Sequence, residues 1–131
     1  MRLHRIGAYL FAMGMAAAAA AQSAGEAEYM NACASCHGAE AKGDGPLAEF
    51  LTVEVSDLTQ IAARNDGVFP LIDVIHIIDG RTGGRPHGDP MPVWGQRFKE
   101  AMGEAGPYAS EIVVRGRILS LAYYIESIQA E

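Results

Sequence analysis

The sequence predicts an all-α domain, and three observations carry that prediction. Near the start, Gly25, Tyr29 and Cys33 recur at four-residue steps, which places them on one face of a helix. The C-terminal stretch has an apolar stripe at steps of three and four. Clusters of glycine and proline separate the periodic stretches, and no strand pattern stands out apart from the brief run 51–55. The 131 residues suffice for one small domain.

The first 24 residues differ in composition from the rest. Arg2, His4 and Arg5 form a short basic region, and an apolar run over 6–21 ends in three alanines that suit a cleavage site. This pattern predicts a secretory signal peptide over 1–21, followed by one domain over 22–131. A membrane anchor is the alternative, but the run is shorter than the roughly 20 residues that span a bilayer.

The chain without its leader is acidic. Once Arg2 and Arg5 are removed, eight basic residues remain against 16 acidic ones, a net charge of −8. This charge argues against nucleic acid or an anionic membrane as a partner. It allows electrostatic steering towards a basic docking face on a partner protein. Acidity that only keeps the protein soluble explains the charge equally well.

The two cysteines of the chain lie in the segment Cys33-Ala34-Ser35-Cys36-His37, which has the form C-x-x-C-H. That spacing is typical of covalent haem attachment. Each thiol adds to one vinyl group of the haem, and the histidine that follows can coordinate the iron as proximal ligand. The alternatives are a thioredoxin-like dithiol, a zinc site and a local disulfide. The chain shows no βαβ pattern for the first and no second ligand pair for the second.

Met91 is the predicted sixth ligand of the iron. It lies 54 residues after His37 and is followed by Pro92, which helps to fix the loop. A thioether is a soft, neutral ligand, and His/Met ligation raises the reduction potential of a haem. The rival Met30 is too close to Cys33 to reach the opposite haem face, and Met102 falls on a predicted helix.

Four further residues are candidates for cofactor contacts. The loop after His37 is rich in glycine, and the carbonyl of Pro46 is the expected acceptor for the second ring nitrogen of that histidine. Arg81 and Arg85 could pair with the haem propionates, although ordinary solvated arginines are an equally good interpretation. The indole of Trp94 could bond a propionate or simply pack.

Five helices are expected along the chain. The first begins at a capping box, Ser23 to Glu26, and runs into the cysteine motif. The others are a short helix over 57–64 capped by Ser56, an apolar helix from Pro70 to Gly80, a short helix over 95–102, and a long helix over 111–129 capped by Ser110.

Two of these helices carry specific expectations. The helix before Gly80 should be buried on most sides, with His76 more often a packed core residue than a ligand. The stripe of the last helix should pack on the first helix, and it consists of Ile118, Leu121, Tyr124, Ile125 and Ile128. Gly116 inside that helix suggests close packing, because it costs roughly 1 kcal/mol against alanine.

Together these residues resemble the class I c-type cytochromes, of the small bacterial secreted monohaem kind. Cys33, Cys36 and His37 match the haem motif, Gly45-Pro46 is similar to a segment whose carbonyl bonds the ligand histidine, and Met91-Pro92 is similar to the sixth-ligand loop. The matches on the first and last helices are Gly25, Tyr29, Leu121, Tyr124 and Ile125.

The resemblance implies a cytochrome c fold, in which the first and last helices cross and one covalent haem is held between His37 and Met91. It implies a periplasmic carrier of single electrons in a respiratory chain, free or associated with a dehydrogenase, and not an enzyme. Its partners would be redox proteins such as a dehydrogenase, an oxidase or another cytochrome. The alternatives are a peroxidase-like enzyme or gas sensor with a labile sixth ligand, and a non-haem metal protein.

Overall fold

A computed structural model describes residues 24–81, 91–103 and 106–130. These ranges contain helices and turns and no β-strand, which confirms the all-α prediction. The α-helices are α1 (24–32), α2 (Ala34–His37), α3 (Leu71–Asp79), α4 (Trp94–Glu100) and α5 (Pro107–Ser127). Three short 3-10 helices lie between α2 and α3, at Ala48–Phe50, Leu58–Gln60 and Ala63–Asn65.

Helices α1 and α5 cross at Gly25, in agreement with the crossing that the resemblance implies. A Cβ atom on Gly25 would lie 2.1 Å from the Ser120 carbonyl oxygen and 2.8 Å from Tyr124 Cβ, so only glycine fits there. One turn later Tyr29 is fully buried, and its ring centroid lies 5.2 Å from that of Tyr124. The crossing therefore fixes the end of α1 that leads into the cysteine motif.

The core forms where α5 meets the other helices. The predicted stripe of α5 is confirmed, because Ile118, Leu121 and Ile125 are buried and Tyr124 and Ile128 pack beside them. The same cluster includes Val114 and Ala122 of α5, Val74 and Ile78 of α3, and Phe98 of α4.

Arg117 adds polar links across this core. Its Nε and one terminal nitrogen each donate to Glu28 of α1 at 2.8 Å. Its guanidinium carbon lies 3.9 Å from the centroid of the Phe98 ring on α4. One side chain of α5 thus contacts both α1 and α4.

The predicted caps of two helices are wrong. Helix α5 begins at Pro107, and Ser110 lies inside it, buried, with its hydroxyl donating to the Gly106 carbonyl at 3.1 Å. Proline suits the first helical position because its missing N–H has no partner there anyway. The single helix expected over 57–64 is two 3-10 turns, and its cap is Asp57, whose carboxylate accepts the Thr59 N–H at 2.8 Å.

Helix α3 is less buried than expected. Val74 and Ile78 are buried, whereas Ile72 is 61% exposed and His76 is also exposed. His76 is therefore not a packed core residue. Only one face of this nine-residue helix meets α4 and α5.

Gly80 ends helix α3 in the left-handed region, as predicted (φ 64°). The Ser23 capping residue lies outside the described residues.

Gly116 is not a close-packing residue. It is exposed on α5, and a Cβ atom built there would meet nothing within 4 Å. The glycine therefore carries the entropic penalty of a helical glycine without any packing gain.

Substitution of Gly116 and substitution of Gly25 should have opposite effects on the free energy of unfolding. Gly116→Ala should raise the free energy of unfolding by about 1 kcal/mol, because alanine is the better helix former and has room. The matched change Gly25→Ala should lower it by about 1–3 kcal/mol, because the new methyl group collides with the α5 backbone. Denaturant unfolding of both variants measures the difference. A destabilised Gly116→Ala would show that the outer face of α5 is covered.

Candidate cofactor site

One cavity of about 590 Å³ lies beside the cysteine motif. Its size falls within the usual range for small-molecule and cofactor sites. Its walls come from the end of α1, from α2, from the chain that follows the first 3-10 helix, and from the start of α4. The lining residues include Cys33, Cys36, His37, Leu47, Leu51, Val53, Glu54, Ser56, Met91, Trp94 and Arg97.

Cys33 and Cys36 are free thiols on this wall. Cys33 is 8% exposed and Cys36 is half-buried. Burial raises the pKa of the Cys33 thiol to about 12, and the neighbouring Cys36 and Glu28 act in the same direction. The Cys33 thiol is therefore protonated at neutral pH in this fold. No bond joins the two sulfurs, so the local-disulfide alternative is not what the structure shows.

His37 follows directly and is 7% exposed. Its Nδ1 lies 3.0 Å from the Ser56 carbonyl oxygen. Because a carbonyl only accepts, Nδ1 carries the proton, and Nε2 is then the nitrogen with a lone pair for a metal. Burial lowers the pKa of His37, and the bond to Ser56 partly opposes that shift. The imidazole is thus oriented and neutral, as a haem ligand must be.

The acceptor predicted for His37 is corrected by this contact. The carbonyl at Nδ1 belongs to Ser56, and Pro46 is exposed in the preceding loop. That loop folds back on α2 instead, since Gly45 N–H donates to the Cys36 carbonyl at 3.1 Å. A Cβ atom on Gly45 would lie 2.6 Å from the same carbonyl oxygen, which leaves no room for a side chain.

A buried hydrogen bond joins α1 to Gly38, the residue after the cysteine motif. The Tyr29 hydroxyl donates to the Gly38 carbonyl at 2.6 Å. Burial raises the pKa of Tyr29, so the phenol stays protonated and keeps this bond. The helix crossing and the motif are therefore linked through one side chain.

Met91 and Trp94 line the same cavity from the other part of the chain. Both are half-buried, and Met91 lies just before α4, whose first residue is Trp94. The Trp94 ring lies 5.6 Å from that of Phe98 in the core. Neither Met30, which is 49% exposed, nor Met102 lines the cavity. The fold brings the predicted sixth-ligand residue to the motif.

Arg81 and Arg85 are the two arginines predicted to pair with the haem propionates. Arg81 does not line the cavity, because it is bound to Asp79 and donates to Glu111 at 2.7 Å. These two carboxylates raise its pKa further. Arg85 lies outside the described residues.

The cavity has a different arginine, which the sequence analysis missed. Arg97 lines it, with its guanidinium carbon 5.5 Å from the centroid of the Trp94 ring. The sequence does contain an indication of this position. Arg97 follows Trp94 by three residues, a spacing that brings two side chains together on a helix. Within the described part of the chain, no carboxylate forms an ion pair with Arg97.

The side chains that line the cavity fit a covalently bound haem, the group that the C-x-x-C-H motif predicts. Two thiols, one neutral imidazole and one thioether line a single cavity with apolar walls. The described residues contain no cluster of three His, Cys, Asp or Glu side chains that could hold a metal ion by themselves. Across the same residues, no helix is both long and apolar enough to cross a membrane.

A family comparison agrees with the site. The model of the cytochrome c family matches residues 22–105, more than half of the chain. The chain therefore belongs to the cytochrome c family. Comparison with curated proteins and with solved structures gives no match to this chain. Membership identifies a carrier of electrons that binds haem c covalently, in a family whose members typically work outside the cytoplasm.

The cluster around Arg81 predicts a specific acid dependence. Hydrogen bonds from Arg81 and Arg115 lower the pKa of Glu111 from 4.5 to about 2. The stabilisation from Glu111 is therefore complete above about pH 4.5 and is lost as the pH falls towards 2. In denaturant unfolding, the stability difference between wild type and Glu111→Gln should be largest at neutral pH and shrink over that interval.

The control for this experiment is Glu126→Gln, which removes an equal charge from the same helix away from Arg81. Its stability difference from wild type should not follow the same pH course. A difference that stays constant for Glu111→Gln from pH 7 to pH 2 would contradict the role assigned to the cluster.

Proposed function

We propose that this protein is a monohaem cytochrome of class I that passes single electrons between periplasmic redox partners. The observation that carries the proposal is that Cys33, Cys36, His37 and Met91 line one cavity. The sulfurs of Cys33 and Cys36 would hold the haem, and His37 Nε2 and Met91 Sδ would be its axial ligands. The bound haem supplies an iron that alternates between the ferrous and ferric states.

The residues around the proposed ligands orient His37 and supply apolar wall. The Ser56 carbonyl orients the imidazole of His37 at 3.0 Å. Leu51 and Val53 contribute apolar wall to the cavity, and apolar cover of a bound haem would lower the local dielectric. With His37 and Met91 both holding the iron, no position would remain open for a substrate. This arrangement suits electron transfer better than catalysis at the metal.

Arg97 is the proposed partner of a haem propionate, in place of Arg81. It is the only arginine lining the described part of the cavity, and it is stacked beside Trp94. The only carboxylate lining that part, Glu54, forms no ion pair with it. A guanidinium fork matches a carboxylate, and it would offset the negative charge that the cofactor brings into the cavity.

Removal of this charge should change the reduction potential. Arg97→Gln should lower the midpoint potential, because a positive charge near the haem disfavours the ferric form. Arg115→Gln is the matched control, since it removes the same formal charge from an exposed position on α5. Redox titration of both holoproteins measures the difference. Equal shifts in the two variants would show that only net charge matters and would remove Arg97 from the site.

The proposed localisation and partners rest on the sequence. The signal peptide predicted over 1–21 supports export to the periplasm. The net charge of −8 that remains after its removal supports docking on a basic face of a redox protein, such as a dehydrogenase, an oxidase or another cytochrome. The protein would act as a free carrier or as the cytochrome subunit of a dehydrogenase in a respiratory chain, without nucleic acid as a partner.

The direct test is spectroscopy of protein expressed in the periplasm. Haem should stay on the chain after denaturation, and the ferric protein should show the weak long-wavelength band of a sulfur–iron bond. Met91→Ala should keep the covalent haem and lose that band, whereas Met102→Ala should keep both. An unchanged Met91→Ala spectrum would exclude Met91 as ligand.

Two further outcomes would redirect the proposal. Carbon monoxide binding by the reduced wild-type protein would favour the alternative of a peroxidase-like enzyme or gas sensor. Absence of any haem from the chain would contradict both haem functions.

A further inference from the structure

The side chain of Gln129, beyond the end of α5, joins two distant parts of the backbone. Its Oε1 accepts the Ala62 N–H at 2.8 Å. Its Nε2 donates to the Leu58 carbonyl at 2.8 Å and to the Ile125 carbonyl at 2.7 Å. An amide is the side-chain group that can accept and donate twice in this way. Gln129 thus ties the segment 58–62 to the last turn of α5.

Two more bonds hold the same segment. The Ala130 N–H donates to the Thr59 carbonyl at 2.9 Å, next to the Gln129 contacts. On the other side, the Leu58 N–H donates to the Ala41 carbonyl at 2.8 Å, in the loop after the cysteine motif. The Leu58 side chain is buried in the core. The segment 58–62 is therefore fixed between the C-terminus and the loop after His37.

This fixed segment begins two residues after Ser56, whose carbonyl lies 3.0 Å from His37 Nδ1. Asp57, between them, is restrained as well, because its carboxylate accepts from both the N–H and the hydroxyl of Thr59. The Ser56 carbonyl is thus separated by one restrained residue from a segment that Gln129 contacts, 73 residues further along the chain.

We propose that Gln129 is a positioning residue for the ligand His37. It fixes the segment 58–62, which places the Ser56 carbonyl at Nδ1 and so sets the strength of the Nδ1–H hydrogen bond. This inference rests on the proposed function, because it takes His37 as an axial ligand. It adds a residue that touches neither the cavity nor the histidine.

The expected effect has a definite sign. A hydrogen bond from Nδ1–H to a carbonyl makes the imidazole a more basic ligand, which favours the ferric iron. Release of Ser56 weakens that bond and should raise the midpoint potential. General loosening of the pocket acts in the opposite direction, because water stabilises the more highly charged ferric site and lowers the potential. The direction of the shift therefore separates positioning from structural damage.

The experiment uses the holoprotein with Gln129→Met, which has a similar length and volume but cannot make any of the three bonds. Gln96→Met is the matched control, because Gln96 is exposed on α4 and bonds only Glu100 among the described residues. We expect covalent haem in both variants and a raised midpoint potential in Gln129→Met alone. The NMR resonance of the His37 Nδ1 proton should move with it.

Gln129→Asn provides a second variant if the methionine variant does not fold. It keeps the amide but is shorter by one methylene, so the same shift should appear at a smaller size. A folded variant whose potential and Nδ1 proton resonance match the wild type would overturn the inference, and so would a lowered potential. Failure of the proposed function is distinct, since wild-type protein would then lack covalent haem or His37 ligation.

Discussion

The close approach of α1 and α5 at Gly25 is the contact on which the rest of the structure depends. The Ser120 carbonyl oxygen lies only 2.1 Å from the place that a Cβ atom on Gly25 would take, so the two helices pack backbone to backbone. This approach buries Tyr29, whose hydroxyl then reaches the Gly38 carbonyl just after the motif. The position of both cysteines relative to the core is therefore set by a missing side chain eight residues before the first of them.

His37 is held by two parts of the chain that are unrelated in sequence. Its backbone belongs to α2, which follows α1, while its ring is oriented by the carbonyl of Ser56, two residues before the segment 58–62 that Gln129 contacts. Met91 reaches the same cavity from the segment before α4. In its proposed role as a haem ligand, an imidazole oriented in this way would move little when the charge on the iron changes, which is what a carrier of electrons requires.

The sequence predicts the features that are local or periodic. The C-x-x-C-H motif is five residues long, and Gly25, Tyr29 and the α5 stripe follow from helical spacing. The sequence does not reveal which part of the chain returns to the histidine, so it predicts Pro46, the proline of the glycine-rich loop after His37, where the fold places the Ser56 carbonyl. The sequence also leaves the role of Arg81 open between a propionate partner and an ordinary arginine, because Glu111 is 30 residues away and becomes its partner only in the fold.

The crossing of α1 and α5 also sets an order of events during synthesis. Gly25 and Ser120 are 95 residues apart, so α1 has no partner until almost the whole chain has been made. At a synthesis rate of about 5–20 residues per second, that interval lasts roughly 5 to 20 seconds. Throughout it, the two thiols lack the packing that later buries Cys33. The reactive groups emerge early and are enclosed last.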